Sequence, residues 1–301
     1  MSIECVLVTG ASGFIASNFM RYLSMLEKKP RIVGVGRVKV DGLFCDKHYQ
    51  VDLMDSSALQ NILDEENPDI LLHAAAVTPP CDDRDLWAVN VGGTNSLLQA
   101  ISRSAASECR TIIIGSAAEY RMTETGCLAE SDELGGETSY GQSKWAQIAL
   151  AKELARMHGL RLMIARPFNL TGPGLPTRWV VASLVSQFKN QDASTIVVGN
   201  TNSERDFLDV RDCASALWAI AEKGQDNESY NISTGIPTKI SQIIDILHMR
   251  TNNRHTISID KSRFRSVDLD RVCGDNRKIV EELGWKPEIT LEQSLTDMMA
   301  I

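Results

Sequence analysis

Nowhere in the 301 residues is there an unbroken apolar run approaching the roughly 18 residues that a membrane-spanning helix requires, so no membrane segment is expected. The opening MSIECVLVTG lacks the basic flank and the cleavage site of a secretion signal and reads instead as a first buried strand, which predicts a cytoplasmic location. Histidine is scarce, at five. The seven cysteines (Cys5, Cys45, Cys81, Cys109, Cys127, Cys213 and Cys273) form no Cys-x-x-Cys pair. Buried thiols in a reducing compartment are expected, and no metal site. Positive charge is in the minority, with a net charge of −8. A nucleic-acid footprint needs Lys and Arg clustered on one face, so nucleic-acid partners are excluded, although a local arginine pair can still hold a small diphosphate. There is also no internal repeat, low-complexity tract or separate linker.

What is present is an alternation. Short apolar runs at Cys5–Thr9, Arg31–Gly36, Ile70–Ala74, Thr111–Gly115 and Arg161–Ala165 read as strands. Between them, Phe14–Leu26, Ala58–Glu65, Leu86–Arg103 and Ser143–Met157 carry apolar residues at helical spacing. This rhythm predicts an α/β chain with a doubly wound parallel sheet, helices on both faces, and ligands at the carboxyl ends of the strands. Beyond Pro167 the rhythm changes. The Gly- and Pro-rich TGPGLPT reads as a loop, followed by a helix near Val180–Lys189 and short strands around Ile196–Val198 and Phe207. Cys213–Glu222 reads as a helix, Ser229–Ile232 as a strand and Ser241–Met249 as a helix. The expected division is a nucleotide-binding domain over residues 1–168, its sheet completed by parts of 205–235, and a smaller, interleaved C-terminal substrate lobe over 169–301.

The stretch TGASGFIA, with Gly10, Ser12, Gly13, Phe14 and Ile15, has the G-x-x-G-x-x-A form between a predicted strand and a predicted helix. Glycines there let the backbone turn tightly and approach a pyrophosphate, whose charge is met by the free N–H groups of the helix start. At the end of the second strand an acidic residue would accept the ribose hydroxyls of NAD(H). The chain instead reads Gly36-Arg37 with Lys39 beyond. A guanidinium donates two parallel hydrogen bonds to phosphate, which favours NADP(H) over NAD(H); a solvated surface arginine is the alternative.

Tyr140 and Lys144, in SYGQSKWAQ, are one helical turn apart. A tyrosine hydroxyl with a pKa near ~10 is a poor proton relay, and an adjacent ammonium is expected to lower it. Tyr140 would then pass a proton to a carbonyl oxygen as hydride reaches the carbon. Ser116, following the apolar run TIIIG, is the candidate for a second hydroxyl on that oxygen.

Taken together, TGASGFIA, HAAA at His73–Ala76, GSAAEY at Gly115–Tyr120, YGQSK, RPFN at Arg166–Asn169 and RDFLDVRD at Arg205–Asp212 make the chain resemble the extended short-chain dehydrogenase/reductases that act on nucleotide sugars. That resemblance implies a Rossmann sheet and a catalytic set of Ser116, Tyr140 and Lys144. It also implies cofactor contacts at Asp52, Leu53, Ala74, Ala75, Ala76, Tyr140, Lys144, Pro167 and Phe168. The family's third turn glycine is Ala16 here, a small change. The second half, through RPFNLTGPG, ESYNISTG and GDNRKIVEELGWKPEITLEQSL, is most similar to the GDP-4-keto-6-deoxy-D-mannose reductase branch. From relatives, Arg205, Arg265 and Asn169 inherit contacts to the sugar-nucleotide diphosphate, and Ser116 a contact to the sugar. A homodimer through the helices flanking Tyr140 is a further family expectation.

Family dehydratases carry an Asp-Glu pair after the catalytic hydroxyl, and the epimerase–reductases place a cysteine at the second of those positions. Here they are Ala117 and Ala118, and no histidine lies between Gly172 and Leu247. The resemblance therefore implies a simple NADPH-dependent reductase of a nucleotide-linked 4-keto-6-deoxyhexose, GDP-linked in preference to dTDP-linked. Two alternatives stand beside it. One is an NAD-dependent 4-epimerase, which Arg37 argues against; the other is a non-catalytic NADP-binding regulator, which the intact Ser116, Tyr140 and Lys144 argue against.

Overall fold

The computed structural model describes residues 3–39, 42–121, 127–190, 192, 194–251, 255–264 and 270–300. The first half lays down β1 (Cys5–Thr9), α1 (Phe14–Ser24), β2 (Arg31–Gly36), β3 (Lys47–Gln50), α2 (Ser56–Glu66), β4 (Ile70–His73), a short α3 (Asp83–Asp85), a π-helix (Leu86–Gly93), α4 (Thr94–Arg103), β5 (Arg110–Ile114), β6 (Cys127–Leu128), α5 (Ser139–His158) and β7 (Arg161–Pro167). The second half adds β8 (Asn169–Thr171), α6 (Val180–Lys189), β9 (Thr195–Val198), β10 (Glu204–Asp209), α7 (Val210–Lys223), β11 (Ser229–Ile232), β12 (Pro237–Lys239), α8 (Ile240–Arg250), β13 (Thr256–Ile259), β14 (Arg271–Gly274), α9 (Arg277–Leu283) and α10 (Leu291–Ala300).

Seven strands form one sheet in the order β11-β7-β5-β4-β1-β2-β3, every neighbouring pair parallel. Their apolar runs are continuous rather than alternating because both faces are covered. Val6, Val8, Ile32, Leu72 and Ile112 pack with residues of α1 and α7 on one face, while Leu7, Val33, Leu71 and Ile113 pack with residues of α2, α4 and α5 on the other. The strand order reverses between β1 and β4, and a crevice forms at such a switch point, outside the strands' carboxyl ends. The helices that border it are tied at their ends. Thr138 caps α5 by accepting from Gly141 N at 3.1 Å, and Gly159 ends the helix in the left-handed region at φ +69°.

A smaller sheet, β12-β10-β14-β6 with β8 beside β10, and the β13-β9 pair build the second lobe around Val181, Phe188, Phe207, Ile243 and Leu295. Only Phe168 separates β7 of the large sheet from β8 of the small one. Two expectations need correction, and one strand of the large sheet carries no signal in the sequence. The short strand Lys47–Gln50 has a half-exposed face and no apolar run, so its periodicity is silent. Helix α5 begins at Ser139 rather than Ser143, because Thr138 supplies the cap. Leu86–Arg103 is not one α-helix: its first eight residues are wound as a π-helix. Within it, Asn90 accepts from Val77 N at 2.8 Å while its amide donates to Val77 O and to Ser143 Oγ. Among the described residues, no helix is long and apolar enough to cross a membrane.

Candidate active site

After Thr9 the chain turns at Gly10, whose φ is +68°. A Cβ there would lie 2.6 Å from Ala75 Cα and 2.7 Å from Ala75 N, so only glycine lets the turn rest on the end of β4. Gly13 N donates to Gly10 O at 2.7 Å, and Gly13 then stands at the start of α1 with no side-chain cap and no acid in the first turn. Ser12 and Gly13 are exposed, Phe14 and Ile15 half-buried, and Ala16 is fully buried against the sheet. An uncapped helix start of this kind suits a bound anion. Ala74 and Ala75 are half-buried and Ala76 is exposed beside the turn.

At the neighbouring strand ends, Arg37 and Lys39 are exposed, and Arg37 O accepts from Gln50 Nε2 at 3.1 Å. His48 Nε2 is buried without a hydrogen-bond partner and lies 3.6 Å from where a Gly36 Cβ would stand. An unsatisfied buried nitrogen within reach of the Lys39 charge fits a polar group of a ligand. Asp52 is exposed and its Oδ1 accepts from Met54 N at 2.9 Å, while Leu53 is buried under Gly93. Turn, helix start and cationic edge fit a dinucleotide with an additional phosphate.

The acid–base residues converge from two elements. Ser116 follows β5 and caps a single 3-10 turn (Ala117–Glu119); its Oγ accepts from Ala118 N at 3.1 Å, which leaves the hydroxyl proton free to donate outward. Tyr140 lies in the first turn of α5 and is half-buried. Burial pushes its hydroxyl up to about 12, the Ser116 hydroxyl opposes the rise by hydrogen-bonding it, and the charge of Glu119 adds to it. Lys144, one turn on, is fully buried and donates to Ile114 O at 2.7 Å and Gln147 Oε1 at 2.5 Å; burial pulls it down to about 8. The expectation that the Lys144 ammonium lowers the tyrosine is thus not what the structure shows. Its amine is turned toward β5 and Gln147, and desolvation outweighs it.

Behind these residues runs a buried polar chain. Gln147 Nε2 donates to Thr94 Oγ1 at 2.8 Å, Thr94 bonds His73 Nε2 at 2.9 Å, and His73 Nδ1 bonds Thr9 Oγ1 at 2.7 Å. Burial, reinforced by the Lys144 charge, pulls His73 to about 3 and keeps it neutral. The Ser116 turn is held from below: Ser116 N donates to Glu119 Oε1 at 2.6 Å and Arg166 Nε to Glu119 Oε2 at 2.8 Å, with both charged side chains buried.

On the lobe side, Pro167 and Phe168 are buried. Asn169 is half-buried, and its amide donates to Asp206 O at 3.3 Å. It sits on β8 opposite Phe207, two residues along β10 from Arg205, whose Nη1 donates to Glu204 O at 2.8 Å. Arg265 lies outside the described residues. Sequence reading passed over Glu119, Arg166, Gln147, Asn90 and Thr94. The signal was available in two of them, since Gln147 falls one turn from Lys144 on the buried stripe of α5 and Glu119 is a carboxylate inside an otherwise apolar run.

Comparison with known proteins agrees over nearly the whole chain. A family model described as GDP-mannose 4,6 dehydratase matches residues 7–298. The GDP-6-deoxy-D-mannose reductase of Pseudomonas aeruginosa is 30% identical over 98% of this chain and 96% of its own length. The GDP-6-deoxy-D-talose 4-dehydrogenase of Aggregatibacter actinomycetemcomitans is 28% identical over 98% of this chain and 96% of its own. The structure of RMD from Pseudomonas aeruginosa complexed with NADPH superposes with a TM-score of 0.85 at 28% identity, covering 99% of this chain and 98% of that one.

Proposed function

The chain belongs to the GDP-mannose 4,6 dehydratase family of nucleotide-sugar oxidoreductases, and from that premise we propose that it reduces the C4 ketone of a nucleotide-linked 4-keto-6-deoxyhexose, with NADPH as reductant and GDP as the nucleotide. The observation that carries the proposal is the meeting of the Ser116 and Tyr140 hydroxyls above the strand ends, beside Ala117 and Ala118, which bring neither acid nor thiol. A second acid–base pair is what elimination or epimerisation next to a ketone would need; here the local chemistry is limited to one proton and one hydride.

NADPH, when bound, supplies the hydride. The Gly10–Gly13 turn and the α1 start would hold its pyrophosphate, Arg37 its additional phosphate, and Asp52 and Leu53 its adenine, with Ala74–Ala76, Pro167, Phe168, Tyr140 and Lys144 as further contacts. Tyr140 gives its proton to the ketone oxygen, and Ser116 donates a hydrogen bond to the same atom. A hydroxyl pushed up to about 12 keeps its proton at neutral pH, as reduction requires. Lys144, cationic below about 8 and one turn along α5 from Tyr140, would be the hydrogen-bond donor to the cofactor's ribose. Asn169, Arg205 and Arg265 hold the substrate diphosphate, so residues 1–168 serve mainly the cofactor and residues 169–301 mainly the sugar nucleotide.

The two named relatives support the GDP-linked 6-deoxyhexose. Mannose and talose differ in configuration at C4, so their names span both faces of the ketone. The test is NADPH consumption by the purified protein against GDP-, dTDP- and UDP-linked 4-keto-6-deoxyhexoses. Turnover with the GDP-linked sugar is expected. NAD-dependent interconversion of sugar epimers with no net oxidation would overturn the proposal.

A further inference from the structure

Glu119 and Arg166 form an ion pair with side chains 0% and 1% exposed, immediately beneath the Ser116 turn. Burying two charges costs several kcal/mol per ion before their attraction is counted, and an apolar pair of similar volume is often as stable. Stability is therefore a poor reason for the pair to exist. Its geometry offers a better one. One carboxylate oxygen takes the Ser116 N–H at 2.6 Å and the other takes Arg166 Nε at 2.8 Å, so the side chain fixes the backbone that presents the Ser116 hydroxyl. The surroundings are built to admit it: at Gly115, any Cβ would run into Glu119 Oε1. The carbonyl of Glu119 accepts from Gly135 N and Gly136 N at 2.8 and 3.0 Å, and Gly141 in the first turn of α5 packs against Ala118 O so closely that a Cβ would not fit. The carboxylate thus sits in the joint between the turn that carries Ser116 and the helix that carries Tyr140.

We propose that Glu119, clamped by Arg166, is a positioning residue that fixes the Ser116 hydroxyl and sets a buried negative charge against Tyr140 and Lys144, holding both in the protonated forms that ketone reduction uses. Its charge acts in that direction on each of them. The other ionisable groups facing this joint are Tyr120 of the same turn, Lys152 of α5 and His73 at the end of β4. Tyr120 is pushed up by burial and His73 is neutral, so neither supplies a competing charge. Lys152 is pulled down by burial, and both Arg166 and Glu119 act on it.

The inference rests on the reductase reading, and its test separates the two. Glu119→Gln/Arg166→Met removes both charges but keeps an acceptor for Ser116 N; Glu119→Leu/Arg166→Met removes the acceptor as well. With the GDP-linked keto sugar, the alkaline limb of kcat/KM should move to lower pH by roughly one unit in both variants, whichever of the Tyr140 and Lys144 protons sets it. The Leu variant should lose at least about tenfold more kcat than the Gln variant, with KM nearly constant. An unmoved limb, or equal kcat in the two variants, with NADPH binding intact by fluorescence titration, would overturn the assignment. Should no keto sugar be turned over, the charge is read without substrate by ¹³Cζ-tyrosine NMR of wild type and the Gln variant, with Tyr140 identified by its loss in Tyr140→Phe. A Tyr140 titration that falls when the pair is removed supports the role, an equal titration in the two proteins overturns it, and variants that do not fold make the pair structural and overturn it as well.

Discussion

Replacing Gly10 by alanine should damage the protein in two separable ways, and a second glycine provides the control. Gly10 and Gly159 share a left-handed backbone, with φ of +68° and +69°. A side chain in that region costs about 1 kcal/mol or a little more. At Gly159 nothing lies within 4 Å of the added methyl, so Gly159→Ala carries that strain alone. At Gly10 the methyl meets Ala75 Cα at 2.6 Å and Ala74 C at 3.0 Å, backbone atoms that cannot swing aside. Forcing atoms into packed space of this kind adds about 1–3 kcal/mol. Since unfolding a chain of 301 residues carries an entropy near 0.6 kcal/mol per degree, taking about 2.1 cal/mol/K per residue, the expected fall in Tm is roughly 2 °C for Gly159→Ala and roughly 3–6 °C for Gly10→Ala. Calorimetry measures the first effect, and fluorescence titration with NADPH the second, which only Gly10→Ala should weaken, because the displaced turn is the proposed phosphate cradle. Equal Tm shifts with undiminished NADPH affinity in both variants would refute the close-approach argument and the cradle with it.

The remaining predictions concern the chemistry. Tyr140→Phe should cut the rate of ketone reduction by about 10²–10⁴ while leaving NADPH affinity nearly intact, and near-native turnover would dismiss Tyr140 as the acid. Arg37→Ala should weaken NADPH by about 1.5–3 kcal/mol and barely affect NADH; parallel losses for both cofactors, by calorimetric titration, would make Arg37 structural. Burial pulls Lys144 from 10.5 to about 8 in the folded protein, so between those values the unfolded chain binds the extra proton and stability rises with pH. Urea denaturation should therefore show wild type gaining on Lys144→Met from pH 8 to 10.5, and a flat difference would count against the desolvated amine.

The large sheet was legible because its strands are buried on both faces, and continuous apolar runs such as VLV at Val6–Val8 declare themselves. The strand Lys47–Gln50 was not, since an edge strand with one wet face carries mixed residues. The Gly10 turn and the Tyr140–Lys144 spacing were readable as local motifs. Glu119 and Arg166 lie 47 residues apart, and no periodicity announces a contact of that range. The same holds for the π-helix, whose Asn90 bonds the Val77 backbone, a partner that sequence spacing does not reveal.

Phe168 is the lone residue between β7 and β8, and both its backbone and its ring are held. Its N–H donates to Ile232 O at 3.0 Å, and its buried ring stands where a side chain on Gly274 would have to go. Hinges work by absorbing large changes in φ and ψ at a few free positions. A single residue locked between two hydrogen-bonded sheets has no such freedom. The cleft floor therefore runs continuously from β7 into β8 at this residue, and Phe168 is not a position at which the backbone between the two sheets is free to pivot.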